Sequence, residues 1–182
     1  GRRGFQGFTR GTMLASDPEG GAMVGHAVTA RIRALAPPQE EPATIRARRM
    51  DYYRAMHDAP RPSVAVVEDE DFPNCVGAFW GEVNTTIHKA FGLSGALTNG
   101  VMRDLGDMAP GFPVVAGSVG PSHGFVHVTA LGVPVTIHGL RVAPGDLVHA
   151  DRHGAVVVPP EVVPRLAGAI EAAWAAFEKA RT

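Results

Sequence analysis

Gly81-Glu82-Val83-Asn84, followed after a helix-length segment by Asn99-Gly100-Val101-Met102-Arg103-Asp104, is the stretch on which the reading of this chain turns. The first piece is a turn rich in backbone N–H groups. After it, Val83, Ile87 and Phe91 repeat every four residues, which predicts a helix over 81–91. A loop opening into a helix can aim its N–H groups at an anion. The second piece ends in Arg103, whose planar donor fork suits a carboxylate, with the carboxylate of Asp104 beside it. Together the two pieces can hold a small carboxylic acid next to a divalent cation. The remainder reads mostly as scaffold.

Working outward, short apolar runs between Gly- and Pro-rich corners predict strands at 25–34, 63–67, 93–98, 114–116, 126–129, 134–137, 140–142, 146–150 and 155–159. Asp151-Arg152-His153-Gly154 is a tight-turn sequence joining the last two. Ile45, Met50, Tyr53 and Met56 stand at roughly helical spacing over 45–57, before Pro60. Over 164–179, Leu166, Ile170, Ala173, Trp174 and Phe177 make one apolar face of a final helix, with Pro164 suited to its first turn. Residues 1–20 are rich in Gly and Arg and read as an arm; the chain begins at Gly1 without a Met, so this first element is expected to be incomplete. Residues 21–182 then form the domain. The order is α/β in the first half and strand-dense in the second, which fits a β layer with helices against it. No GxGxxG follows the first strand and no GxxxxGK[ST] occurs, against a nucleotide-binding fold or a methyltransferase.

With 182 residues the chain suits a single domain that closes its own core. Hydrophobic residues are 45% and charged residues 19%, an ordinary globular balance, and the net charge of −1 argues against a surface that coats nucleic acid. The one cysteine, Cys75, excludes an internal disulfide framework and fits a reducing, cytoplasmic setting. No run approaches the ~20 apolar residues that span a bilayer.

Beyond these readings, Gly25-His26-Ala27-Val28-Thr29, Gly81-Glu82, Gly95 with Asn99 to Asp104, Phe112-Pro113-Val114, Pro134-Val135, Pro144 to Val148 and Ala150 to Pro159 resemble the RraA-like family over roughly residues 20–180. That family combines class II 4-hydroxy-4-methyl-2-oxoglutarate/4-carboxy-4-hydroxy-2-oxoadipate aldolases with the regulator of ribonuclease E activity A. The resemblance implies an α/β, three-layer β/β/α swivelling-type domain, assembled as a homotrimer or a dimer of trimers. It further implies a pyruvate-like 2-oxo acid held by the amides of 81–84 and by Arg103, with Mg²⁺ or Mn²⁺ on Asp104 and a carboxylate from a neighbouring subunit. Three departures stand out: Glu82 stands where some family aldolases have an aspartate, Val83-Asn84 replaces a more usual apolar pair, and His138 sits where glycine is common. The expected activity is metal-dependent cleavage of a 4-hydroxy-2-oxo diacid to pyruvate, with oxaloacetate decarboxylation through the same enolate. The rival is a non-catalytic regulator that binds a ribonuclease or helicase.

Several residues keep two readings at this stage. Asp104 is a metal ligand or a helix cap. Glu82 is a first-turn acidic residue, a holder of water at the metal, or both. Asn84 is a side-chain donor to substrate or a turn cap. Trp80 walls the pocket or packs in the core. Asp107 reads as a cap or an outer carboxylate. Among the eight histidines none has HExxH spacing. His88 reads as a packed polar residue, and His123 and His127 as structural or solvated, with His123 also a candidate for the pocket. Nothing places a base beside Cys75 for nucleophilic catalysis, and no lysine sits where a Schiff base could form.

Overall fold

In a computed structural model of the chain, residues 7–181 are described. In chain order the elements are β1 (Leu14–Ala15), β2 (Met23–Arg33), α1 (Pro42–Asp58), β3 (Ser63–Asp69), β4 (Ala78–Trp80), α2 (Glu82–Ala90), β5 (Ala96–Thr98), β6 (Val101–Met102), β7 (Val114–Ala116), β8 (Ser118–Val119), β9 (His127–Leu131), β10 (Val135–Ile137), β11 (Leu140–Val142), β12 (Leu147–Asp151), β13 (Gly154–Val158) and α3 (Val163–Arg181). The strands fall within a few residues of the sequence expectation. β4, β6 and β8, each two or three residues long, were too short to show a period.

The principal sheet runs β1-β7-β5-β3-β2-β12-β13, and β9 pairs with the far end of β2. Its centre is parallel from β2 through β3 and β5 to β7, and its flanks are antiparallel. β3 explains the layering. Its apolar run alternates between faces, so Val64 and Val66 enter one core while Ala65 and Val67 enter the other. On the first side lie Met23, Leu97 and Val148 with Ile137 and Leu140 of the β10–β11 hairpin. On the second lie Tyr52 and Met56 of α1, with Phe79, Trp80 and Met102 from the small parallel sheet β4-β6-β8. Two β layers with helices on the outer side give the β/β/α arrangement.

The hairpin turn carries His138 at φ 44° and Gly139 at φ 79°, the left-handed pair that a two-residue turn needs. Histidine tolerates that conformation less readily than glycine, and here its ring packs edge-on against Phe72, 5.1 Å between centroids.

The final helix forms, but none of its side chains is buried: Ile170 and Trp174 are 59% and 63% exposed. Among the described residues its apolar face therefore finds no core. Within the segment read as an arm, residues 7–20 lie along the domain: Thr9 N–H donates to the Ala155 carbonyl, and β1 pairs with β7. Residues 1–6 lie outside the described residues. No helix among the described residues is long and apolar enough to cross a membrane.

Candidate functional site

β4 and β6 run parallel, and each delivers one half of the site from its C-terminal end. β4 leads into Gly81, which opens α2; β6 leads into Arg103 and Asp104. The Arg103 N–H donates to the Trp80 carbonyl at 2.9 Å, locking the halves together. The approach is so close that a Cβ on Gly81 would lie 2.5 Å from Asp104 Oδ2 and 3.1 Å from Arg103 Cγ. Any side chain there would have to displace the Asp104 carboxylate.

Asp104 sits at φ 57°, a left-handed conformation that is uncommon for a residue with a side chain. That bend turns its carboxylate back over α2. Oδ2 accepts from the Glu82 N–H at 3.1 Å, and Oδ1 accepts from Arg103 Nη1 at 3.0 Å. No helix follows Asp104; a turn closes through the Asp107 N–H and the Asp104 carbonyl. The capping alternative is thus realised across space. Asp104 caps α2, whose own N-cap Gly81 has no side chain to do so. With Glu82 N–H so occupied, the N–H groups of Val83 and Asn84 remain in the first turn without an intrahelical acceptor.

Arg103 lines a cavity of about 250 Å³. One guanidinium nitrogen is paired with Asp104, while Nε is buried and has no partner among the described residues. A buried charged donor without an acceptor is costly. Gly81, Val83 and Asn84 line the same cavity. Glu82 is not part of that lining; it is exposed and has no side-chain partner among the described residues. The Asn84 amide is held in place by donating to the Phe79 carbonyl at 2.5 Å and accepting from Tyr53 Oη at 3.3 Å.

The remaining lining comes from residues that the sequence did not bring to the site: Arg49 and Tyr53 of α1, His127 at the start of β9, and Phe79, Val126 and Val128. His123 is there too. No spacing signal links these to 81–84; only the packing of α1 and β9 over the small sheet does so. Trp80 does not line the cavity. It is fully buried and packs on Phe79 and His88.

Behind the site, His88 is fully enclosed by aromatic rings. Its Nδ1–H donates to the Asn84 carbonyl at 2.6 Å, and its Nε2 accepts from Tyr52 Oη at 2.7 Å. Burial lowers its pKa to about 4 against the backbone hydrogen bond, so the ring is neutral. Cys75 is inert by the same physics: burial and then the neighbouring Asp69 charge push its thiol up to about 12. Asp151 makes the turn expected of it, accepting from the His153 N–H at 2.8 Å. Among the described residues no three His, Cys, Asp or Glu side chains converge to hold a metal ion.

A β/β/α swivelling domain with an arginine and a helix N-terminus meeting in a small cavity defines the class. The chain belongs to the RraA-like (aldolase/RraA) family, whose profile matches residues 3–157. That family holds both catalytic aldolases and non-catalytic regulators. Among curated proteins the chain is 27% identical over 108 residues to one of Halalkalibacterium halodurans named "Putative 4-hydroxy-4-methyl-2-oxoglutarate aldolase", covering 58% of this chain and 50% of that protein. The chain spans half or less of the length of the curated relatives it matches. Among solved structures, Streptomyces coelicolor RraAS2, described as an unusual member of the RNase ES inhibitor RraA family, superposes with TM-score 0.75 at 24% identity, over 98% of this chain and 85% of that one. The RNA-processing inhibitor RraA from Thermus thermophilis superposes at 0.59 with 16% identity, over 84% of each chain. These likenesses establish the fold.

Proposed function

We propose that the cavity binds a small 2-oxo acid by its carboxylate, and that the protein is a divalent-metal-dependent lyase of the 4-hydroxy-4-methyl-2-oxoglutarate type, releasing pyruvate and also decarboxylating oxaloacetate. The observation that carries this reading is Arg103: a cavity-lining guanidinium whose buried Nε lacks an acceptor, beside the first-turn N–H groups of α2. The donor set also fits Mg²⁺ or Mn²⁺. Asp104 uses one lone pair on each oxygen within the chain and keeps the other, and the Glu82 carboxylate is free at the rim. Hard cations of this kind are commonly held by one or two carboxylates plus water and ligand oxygens. When bound, such a cation draws electrons from the substrate's keto oxygen and so favours the enolate.

The chain's own residues do the rest. Arg103 grips the carboxylate and fixes the plane of the 2-oxo acid, while the N–H groups of Val83 and Asn84 offset its charge. From the rim, the Glu82 carboxylate acts through a water: the proton of the 4-hydroxyl passes to it as the C3–C4 bond breaks, and returns to C3 of the pyruvate enolate. A closed homo-oligomer, a trimer or dimer of trimers, is part of the proposal. The resemblance supplies the number, and exposed apolar groups near the site, Val83, Leu105 and Phe125, support a covered rim.

The second reading is a non-catalytic regulator of a ribonuclease or helicase. In its favour, both Asp104 oxygens are already engaged and no three ligands converge among the described residues. Coupled detection of pyruvate from oxaloacetate and from 4-hydroxy-4-methyl-2-oxoglutarate separates the two. Release with Mg²⁺ or Mn²⁺ and none in excess EDTA is expected. Equal release in EDTA removes the metal, and no release from any 2-oxo acid leaves the regulator.

A further inference from the structure

We propose that Arg49 reads the far end of the ligand, so that the cavity selects a 2-oxo diacid over a monoacid of equal chain length. The inference rests on the carboxylate-binding reading above and assigns a specificity residue to that site. The cavity lining contains two arginines and no carboxylate. Arg103 is partly neutralised by Asp104. Arg49 is not: among the described residues it has no hydrogen-bond or ion-pair partner.

The surrounding helix shows why its charge stays available. Glu40, on the loop before α1, is engaged by Arg48 through Nη2 at 2.5 Å and Nη1 at 3.1 Å. Arg48 is further tied to the Val128 carbonyl at 3.1 Å. Adjacent helix positions face different directions, so the acid that might have quenched Arg49 serves its neighbour instead. Tyr53, one turn on from Arg49 and on the same face, reaches Asn84 with its hydroxyl and ties this wall to the α2 turn. Phe79, Val126 and Val128 supply the apolar surface of the same cavity. A short carbon chain with an anion at each end matches that lining: one carboxylate for Arg103, an apolar stretch, and a second carboxylate for Arg49. At about 250 Å³ the space suits a metabolite below drug size.

Two five-carbon probes that lack the cleavable 4-hydroxyl test this by titration calorimetry on the full chain with Mg²⁺ present: 2-oxoglutarate and 2-oxopentanoate. The wild type is expected to bind 2-oxoglutarate at least about 10-fold tighter, as one charge-assisted contact implies. Arg49→Gln is expected to bind both probes alike, with the Kd of 2-oxopentanoate unchanged. Arg49→Lys retains part of the preference, which a merely structural role would not give. Because Arg49 is an exposed helix residue, these variants fold. A preference that survives in Arg49→Gln, or equal binding of the two acids by the wild type, overturns the inference while the carboxylate site stands. If neither acid binds the wild type, or if Arg103→Gln binds both as tightly as the wild type does, both the inference and the carboxylate reading fall.

Discussion

At the scale of single residues, two side chains divide ligand chemistry from fold stability. Arg103 faces the cavity, and its value lies in the geometry of its fork. Arg103→Lys keeps the charge and loses the paired donors, so kcat/KM for pyruvate release should fall about 10–150-fold while the melting temperature holds. Unchanged kcat/KM would remove Arg103 from the site. His88 lies behind the cavity and acts on stability. Its folded pKa is about 4, below the ordinary 6.5. The unfolded chain therefore takes up a proton at this ring first, and stability is lost as pH falls from about 6.5 towards 4, by about 3 kcal/mol at most. Thermal melts of wild type and His88→Gln across pH 7 to 4.5 check this: the wild type should lose stability more steeply over that window, although the variant starts lower. The roles of these residues were unevenly legible. Arg103 and Asp104 stood out because their types and adjacency already spell anion and cation chemistry. Arg49 and His127 did not, because they reach the cavity only through tertiary packing.

At the scale of elements, α2 is the hinge between local signal and global arrangement. Its apolar spacing made the helix visible in sequence. Its cap was not visible, because the capping carboxylate lies 22 residues downstream of Glu82. This gives Asp104 two separable jobs. Asp104→Asn keeps an oxygen acceptor for the Glu82 N–H and tolerates the left-handed backbone, so the melting temperature should barely move while metal-dependent release is abolished. Asp104→Ala loses both the acceptor and the backbone fit, and should cost a further 0.5–2 kcal/mol or so. Melts beside pyruvate assays on the pair test the separation; equal stability of the two variants would deny the cap. α3 teaches the opposite lesson about patterning. A clean apolar stripe predicted a helix, and the helix forms. The stripe carries no information about what covers it, since amphipathicity fixes a face and not its partner.

At the scale of the whole molecule, the apolar stripe of α3 and the apolar rim near the cavity both lie open in the single chain. Assembly into a trimer or hexamer should appear by light scattering at assay concentration, and dilution should lower pyruvate release together with the assembled fraction. A fully active monomer refutes a shared pocket. The central sheet was legible because β3 and its neighbours are continuous apolar runs, whereas the small sheet was hidden by strands of two or three residues. β13 is a terminal strand rich in valine, the kind of open edge to which another chain can add itself. Residues 7–9 run alongside it, with Val157 N–H donating to the Gly7 carbonyl and Phe8 bridging Val156. Residues 7–9 thus cover part of an edge that could otherwise template strand addition, and trimming them should raise the aggregated fraction seen by light scattering.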